Sequence, residues 1–395
     1  MHVLVAPDSF TGSLTATAAA SAIADGWQMT APNDVVEQVP VSDGGPGFVG
    51  VLAATLPGRV EPVGTTGAFG QSTVADVLLV GSGDSVTAYI ESAQCVGPDP
   101  DEPRRREPMT ATSAGLAVPI RWAVEQGAST IVVGLGGSLI TDGGAGLLAG
   151  LGATATDRGG LDSTTALLAG ARDLALVDSV DLGPARAALS RCSLIFASDV
   201  DSPLLGPRGA ARGYAPQKGA SESEVLKIEA GLSTFATVLG RTSDGRDPAV
   251  ALGSGAAGGL GYAMLHLGAE RRSGIAVVLE AVGFAERVRR SDLVVTGEGS
   301  FDWQSLQGKV IAGVCAEAVH AARPVVVLAG RVSLNRREWA SLGVATARPL
   351  YTDLSDPTDL VGLGAVGPAN LEDSITHARS YLGQLAQRVA RTWSR

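Results

Sequence analysis

Short apolar runs recur along this chain, and most of them end in a turn carrying glycine, an acid or both. Met1–Ala6, Val35–Val41, Ile131–Val133, Ser193–Ala197, Asp292–Val295 and Pro324–Gly330 read as buried strands rich in β-branched residues. Helix-period segments follow them. Leu14–Trp27, Phe48 to about Ala54, Thr112–Gln126, a stretch from about Ala145, Thr164–Arg172 and Ser221–Leu239 are predicted helical. So are Gly253–Gly268, Ala276–Val288, Lys309–Ala321 and the chain from about Asn370. Residues 58–95 break the rhythm: Arg59–Val63, Ser72–Val80 and Ser85–Glu91 alternate in polarity between glycine-rich turns, an antiparallel texture. A further short strand is expected near Val344–Ala347, then a loop with Thr352, Asp353 and Asp356. Strands alternating with helices imply parallel sheets that present ligands at their C-terminal edges.

The turns carry the chemistry. After Ile131–Val133 come Gly134, Gly136, Gly137, Ser138, Thr141, Asp142, Gly143 and Gly144, then a small-residue helix. Glycines there let the backbone approach a ligand, and a helix N-terminus suits a phosphate or carboxylate. The pattern returns around Asp8, Asp43, Asp199 with Asp201, and Glu298 with Asp302. Acids gathered at sheet edges repel, so Lys218, Lys309 or Mg²⁺ is expected to offset them. The turn at Gly297–Gly299 is expected to be tight, projecting Glu298 and Asp302 together. One of these acids would then take a hydroxyl proton. Glycine loops, carboxylates and lysines together point to phosphoryl transfer. Asp43 and Asp302 also read as helix caps, and Lys309 as a helix-end lysine.

Other chemistries fit less well. No GxxxxGK[ST] occurs, Pro7-Asp8-Ser9 stands where a dinucleotide fingerprint would need glycines, and neither Ser138 nor Ser305 has a histidine partner in a recognisable motif. The 395 residues carry a formal net charge of −10, which argues against a nucleic-acid surface. The arginines 104–106 sit among acids and read as a solvated loop. Three scattered cysteines, the lack of a long apolar run and the lack of a signal-like N-terminus lead to the expectation of a cytoplasmic protein without membrane association.

Six motifs in order resemble the bacterial glycerate kinase family across essentially the whole chain. They are Ala6–Phe10 (APDSF), Ser42–Gly45 (SDGG), Gly134–Gly146, Asp199–Ala220, Gly253–Gly261 and Thr296–Lys309. The resemblance implies an α/β fold of two domains, with the active site in the cleft between them. One is a flavodoxin-like parallel-sheet domain, placed at 1–62 and 285–395; the other is an α/β domain with a mixed sheet at 63–284. It implies ATP- and Mg²⁺-dependent phosphorylation of D-glycerate or a similar hydroxy acid, with 2-phosphoglycerate the favoured product. On the matching positions, Asp8, Asp43, Asp142, Lys218, Glu298, Asp302 and Lys309 would be catalytic. Ser9, Phe10, Gly44, Gly45, Ser138, Arg208, Arg212 and Gln304 would bind substrate. Gly134, Gly136, Gly137, Gly143, Gly144, Gly255, Gly258 and Gly259 would hold ATP, and Asp199 and Asp201 the metal. A homodimer is one assembly to test. Thr11, Pro46, Phe48, Thr141 and Ser300 depart from the family motifs. They keep open two alternatives: another hydroxy acid as substrate, or a catalytically impaired binding or regulatory protein.

Overall fold

A computed structural model describes residues 1–306, 309–351 and 370–394. The expected loop with Thr352, Asp353 and Asp356 lies outside the described residues. The chain divides into two compact units: Met1–Asp43, Gly50–Leu56 and Ile275–Arg395, and Gly44–Val49 with Pro57–Gly274.

The first unit is built on a five-stranded sheet in the order Val344–Pro349, Val325–Val332, Leu293–Phe301, His2–Val5, Val35–Gln38. Every pairing is parallel. Counted along the chain this is the order 2-1-3-4-5, the flavodoxin-like arrangement. Val3, Leu4 and Val5 are all fully buried, as are Val294, Val295 and Val325–Ala329. Continuous apolar strands of this kind need cover on both faces. Helix Ala16–Thr30 packs on helix Ala378–Trp393, and Phe284–Arg290 packs on Val310–His320. The first pair crosses with backbones touching: a Cβ on Gly26 would stand 2.1 Å from the Gly383 carbonyl oxygen.

The second unit holds a six-stranded mixed sheet in the order Glu270–Arg272, Ser193–Ala197, Thr130–Gly134, Ser85–Glu91, Ser72–Ser82, Gly58–Thr66. Gly58–Thr66, Ser72–Ser82 and Ser85–Glu91 form an antiparallel meander, as their alternation predicted, and the remaining pairs are parallel. A short antiparallel pair, Thr154–Thr156 with Ser179–Asp181, comes from the weakly patterned middle.

Several elements differ from expectation. Leu293–Phe301 is one unbroken strand, in register with Val325–Val332 as far as Phe301 opposite Val332, so Gly297 and Gly299 do not make a turn. They permit close packing instead: a Cβ on Gly297 would lie 2.0 Å from the Leu328 carbonyl oxygen. Residues 276–288 form two helices, Gly274–Ala281 and Phe284–Arg290, parted at Gly283 with φ of 62°. Helix Ala256–His266 is kinked at its start by Ala257, Gly258 and Gly259, all with positive φ. Apolar periodicity carries through such breaks, because it records burial and not backbone angles.

Candidate functional site

In the first unit, three acids stand beyond the C-terminal ends of adjacent strands or along their continuation. Asp8 follows His2–Val5, Asp43 follows Val35–Gln38, and Glu298 lies on Leu293–Phe301 past the residues that pair with His2–Val5. The backbone keeps them in step: Ala6 N–H donates to the Val295 carbonyl at 2.7 Å and Asp8 N–H to the Gly297 carbonyl at 2.8 Å. Val41 N–H donates to the Pro7 carbonyl at 3.0 Å. The buried Thr296 hydroxyl adds a bond to the Ala6 carbonyl at 2.7 Å. Asp8 and Glu298 thus flank the position where strand order reverses, the switch point at which open parallel sheets bind ligands.

The electrostatics match that placement. Burial, with Asp43's charge adding to it and Ser9 and Lys309 acting against it, pushes the Asp8 carboxyl up to about 7. Burial likewise pushes Glu298 up to about 7. Ser305, which donates its hydroxyl to Glu298, opposes that rise, while Asp8 and Asp302 reinforce it and Lys309 lowers it. Lys309 is therefore the offsetting cation expected for the acids. It precedes helix Val310–His320, and its Nζ donates to Gln304 Oε1 at 3.2 Å. Asp302 is used otherwise: its Oδ1 accepts the Gln304 N–H at 2.8 Å and its Oδ2 the Ser300 hydroxyl at 3.3 Å. That is the capping role, at the start of the turn Trp303–Leu306. Phe10, expected to touch substrate, is 1 % exposed and belongs to the core of this unit. Ser9 stays half-buried with its N–H on Asp8 Oδ1 at 2.6 Å.

In the second unit, charge is enclosed and paired. Asp142 is fully buried. Its Oδ2 accepts from Ser113 N–H at 2.8 Å, the Ser113 hydroxyl at 2.7 Å and Gly146 N–H at 3.3 Å. Its Oδ1 accepts from Gly144 N–H at 2.9 Å. Burial pushes this carboxyl up, against those donors. Lys218, 5 % exposed, donates to the Ile140 carbonyl at 2.6 Å and the Ser138 hydroxyl at 3.0 Å. Burial pushes its ammonium down to about 7, with Asp142 acting in the opposite sense. Both residues were expected to act on substrate; the structure spends their hydrogen bonds on shaping the loop Ser138–Gly146. Ser113 is the residue the sequence did not reveal, since nothing in its neighbourhood marks it as Asp142's partner.

The glycines divide in the same way. Gly134, Gly143, Gly144, Gly255, Gly258 and Gly259 are buried, whereas Gly136 is half-buried and Gly137 exposed. A Cβ on Gly258 would lie 2.0 Å from the Ile140 carbonyl oxygen, and one on Gly259 2.5 Å from Gly143 Cα. Gly143 N–H donates to the Gly258 carbonyl at 3.0 Å, and Gly255 N–H to the Ser202 carbonyl at 2.9 Å. Amides committed inside the chain cannot serve a phosphate. Gly136 and Gly137, beside half-buried Ser138, are the solvent-facing members of the set. Gly44 and Gly45 are buried, and Arg208 and Arg212 are exposed.

The two acids expected to hold metal have protein partners. Asp199 Oδ1 accepts the Ser273 hydroxyl at 2.7 Å and Gly274 N–H at 3.0 Å. Asp201 forms an ion pair with Arg271 at 2.5 Å, and a guanidinium so placed opposes a second cation. Among the described residues, no three His, Cys, Asp or Glu side chains form a metal cage. Mg²⁺ held by one or two carboxylates plus phosphate oxygens needs no such cage. The donor chemistry of Asp8 and Glu298, oxygen-only, part-buried and mutually repelling, fits that mode. No helix among the described residues is long and apolar enough to cross a membrane.

Comparison with known proteins sets this geometry in context. The model of the glycerate kinase family matches residues 3–394. A glycerate 2-kinase of Escherichia coli is 37% identical over 84% of this chain and 86% of its own length. A glycerate kinase of Bacillus subtilis is 35% identical over 99% of this chain and 97% of its own. The crystal structure of a candidate glycerate kinase 2 from Salmonella typhimurium LT2 superposes with a TM-score of 0.79 at 31% identity, covering 99% of this chain and 98% of that one.

Proposed function

The protein belongs to the glycerate kinase family and is a kinase that transfers phosphate to an alcohol, and from that premise we propose that it phosphorylates D-glycerate with ATP, giving 2-phosphoglycerate. The observation that carries the reading is the pair Asp8 and Glu298 at the switch point of the parallel sheet, each with its carboxyl near 7. A base titrating there is charged for much of the time at neutral pH yet basic enough to take a proton. The substrate's hydroxyl oxygen attacks the γ-phosphorus of ATP, and the bond to the β,γ-bridging oxygen breaks. ADP leaves, and the hydroxyl proton passes to Asp8 or Glu298. Lys309 favours the charged form of the receiving carboxylate beforehand. Asp43 raises Asp8's affinity for the proton, and Ser305 fixes the orientation of Glu298.

In the second unit, Gly136, Gly137 and Ser138 are our candidates for phosphate donors, because they stay open where the neighbouring glycines are packed. Mg²⁺, held through Asp8 or Glu298, would supply positive charge to the phosphate oxygens. Release of ADP, measured in a coupled assay with D-glycerate, L-glycerate and a panel of other hydroxy acids, tests the reading. Turnover confined to D-glycerate is the expected result. Turnover confined to another acid, or absent throughout, would overturn it in favour of the alternatives that Thr11, Pro46, Thr141 and Ser300 suggest. Thr11, Pro46 and Ser300 are exposed and Thr141 is buried.

A further inference from the structure

The loop Gly44–Gly47 lies against the loop Gly134–Gly137 with no room for side chains between them. A Cβ on Gly134 would stand 2.4 Å from the Gly44 carbonyl oxygen, one on Gly136 2.6 Å from Gly45 Cα, and one on Gly137 2.7 Å from Pro46 Cγ. Loop on loop is a weak arrangement unless something ties it down, because glycine backbones have the most freedom to lose. The tie is Glu91, the last residue of strand Ser85–Glu91 and 5 % exposed. Its Oε2 accepts the Val49 N–H at 3.4 Å, and its carboxylate also accepts from the N–H groups of Gly47 and Phe48. Phe48, fully buried, sets its ring edge-on to Tyr89 on the same strand, with centroids 6.1 Å apart.

We propose that Glu91 is a positioning residue, whose charged carboxylate gathers three successive amides and clamps Gly44–Gly47 onto Gly134–Gly137, so that Gly136 and Gly137 present their amides to a phosphate at a fixed place. The proposal rests on reading those two glycines as phosphate donors. A carboxylate suits the task because three donors converge on it and it offers acceptor sites on both oxygens. A glutamine offers one acceptor oxygen and turns an NH₂ toward amides that are themselves donors. The clamp therefore depends on charge and not on side-chain length alone. Burial alone disfavours that charge and pushes the carboxyl up; the amides of Gly47, Val49 and Phe48 work against the rise, while Asp76 adds to it.

Glu91→Gln is the variant of choice, with Glu91→Asp as the charge-keeping control. In the wild type, steady-state kinetics with ATP and glycerate and amide exchange over residues 44–49 give the baseline. For Glu91→Gln the expected result is an unchanged unfolding midpoint, faster exchange at Gly47–Val49, and kcat/KM for ATP down by about 10- to 100-fold. KM for glycerate stays within a few-fold, and Glu91→Asp recovers part of the ATP defect. A purely structural glutamate would instead lower the midpoint and leave the constants of the folded enzyme alone. Unchanged kinetics, or equal losses toward ATP and glycerate, overturn the proposal. If the wild type turns over no glycerate, the functional reading fails separately. Exchange at 44–49 and calorimetry with ATP then decide: unchanged exchange or unchanged ATP affinity in Glu91→Gln overturns it, and loss of both supports it.

Discussion

The acids at the sheet edge of the first unit and the Asp142–Lys218 region of the second handle buried charge in opposite ways. In the second, Asp142 is enclosed and receives four hydrogen bonds, and Lys218 donates two. In the first, Asp43's charge raises the proton affinity of Asp8, the charges of Asp8 and Asp302 raise that of Glu298, and Lys309 offsets them only in part. A satisfied charge holds the shape of a loop. An under-compensated cluster costs free energy in the empty protein and is relieved by a cation or a proton, which is what a reacting site requires. The contrast is the ground on which we propose to separate scaffold from chemistry among residues that look alike in the chain.

The sharpest way to break the comparison is to neutralise each kind of acid. Glu298→Gln and Asp8→Asn should each lower turnover by about 10²- to 10⁴-fold, the range for a proton-transfer group. At the same time each should leave the fold intact or stabilise it at pH 8 by about 2 kcal/mol, because a repelling buried charge is removed. Steady-state kinetics beside urea unfolding checks both. A variant that loses stability along with activity would place that acid with the scaffold.

Asp142→Ala should do the reverse. It strands Ser113, Gly144 and Gly146 amides inside the second unit, and the expected loss is about 3 kcal/mol or more. An unchanged urea midpoint would refute the scaffold role.

The pH dependence of stability sharpens the contrast further, because the signs differ. Asp8 and Glu298 are raised in the fold, so the native state binds more protons than the unfolded chain between about 4 and 7. Their contribution is full below that window and is lost as pH rises through 7. Lys218 is lowered from 10.5 to about 7, so there the native state binds fewer protons and stability rises with pH from 7 to 10.5. Unfolding followed across pH in wild type, Glu298→Gln and Lys218→Met should show the first slope reduced to Asp8's share in one variant and the second vanish in the other. The acid limb of turnover should lie near 7 without bound cation.

Asp302→Asn should have the smallest effect. Asparagine keeps an oxygen for the Gln304 amide, so turnover is expected within about 10-fold of wild type, with the acid limb moved down as a neighbour of Glu298 loses its charge. A loss of 100-fold or more would move Asp302 from the cap to the proton transfer.

Much was legible in the chain itself. Unbroken apolar runs such as Val3–Val5 and Val325–Leu328 determine strands buried on both faces, and the alternation through 58–91 determines an antiparallel meander. Ser221 with Glu224 determines where helix Glu222–Leu239 begins, through a capping box. The ordered motifs determine the family. Tertiary structure decided which acid does what. Glu298 sits on a strand and not in a turn because Gly297 is needed for close approach to Leu328, and no local rule reveals a partner strand's carbonyl. Asp142 is enclosed because Ser113 arrives from 29 residues away, and Asp8's proton affinity is raised by its burial and by Asp43, an acid that follows another strand. Local pattern reports burial and backbone preference, which act over a few residues. A carboxylate's function depends on desolvation and on charges several ångströms off, and only the fold brings those together.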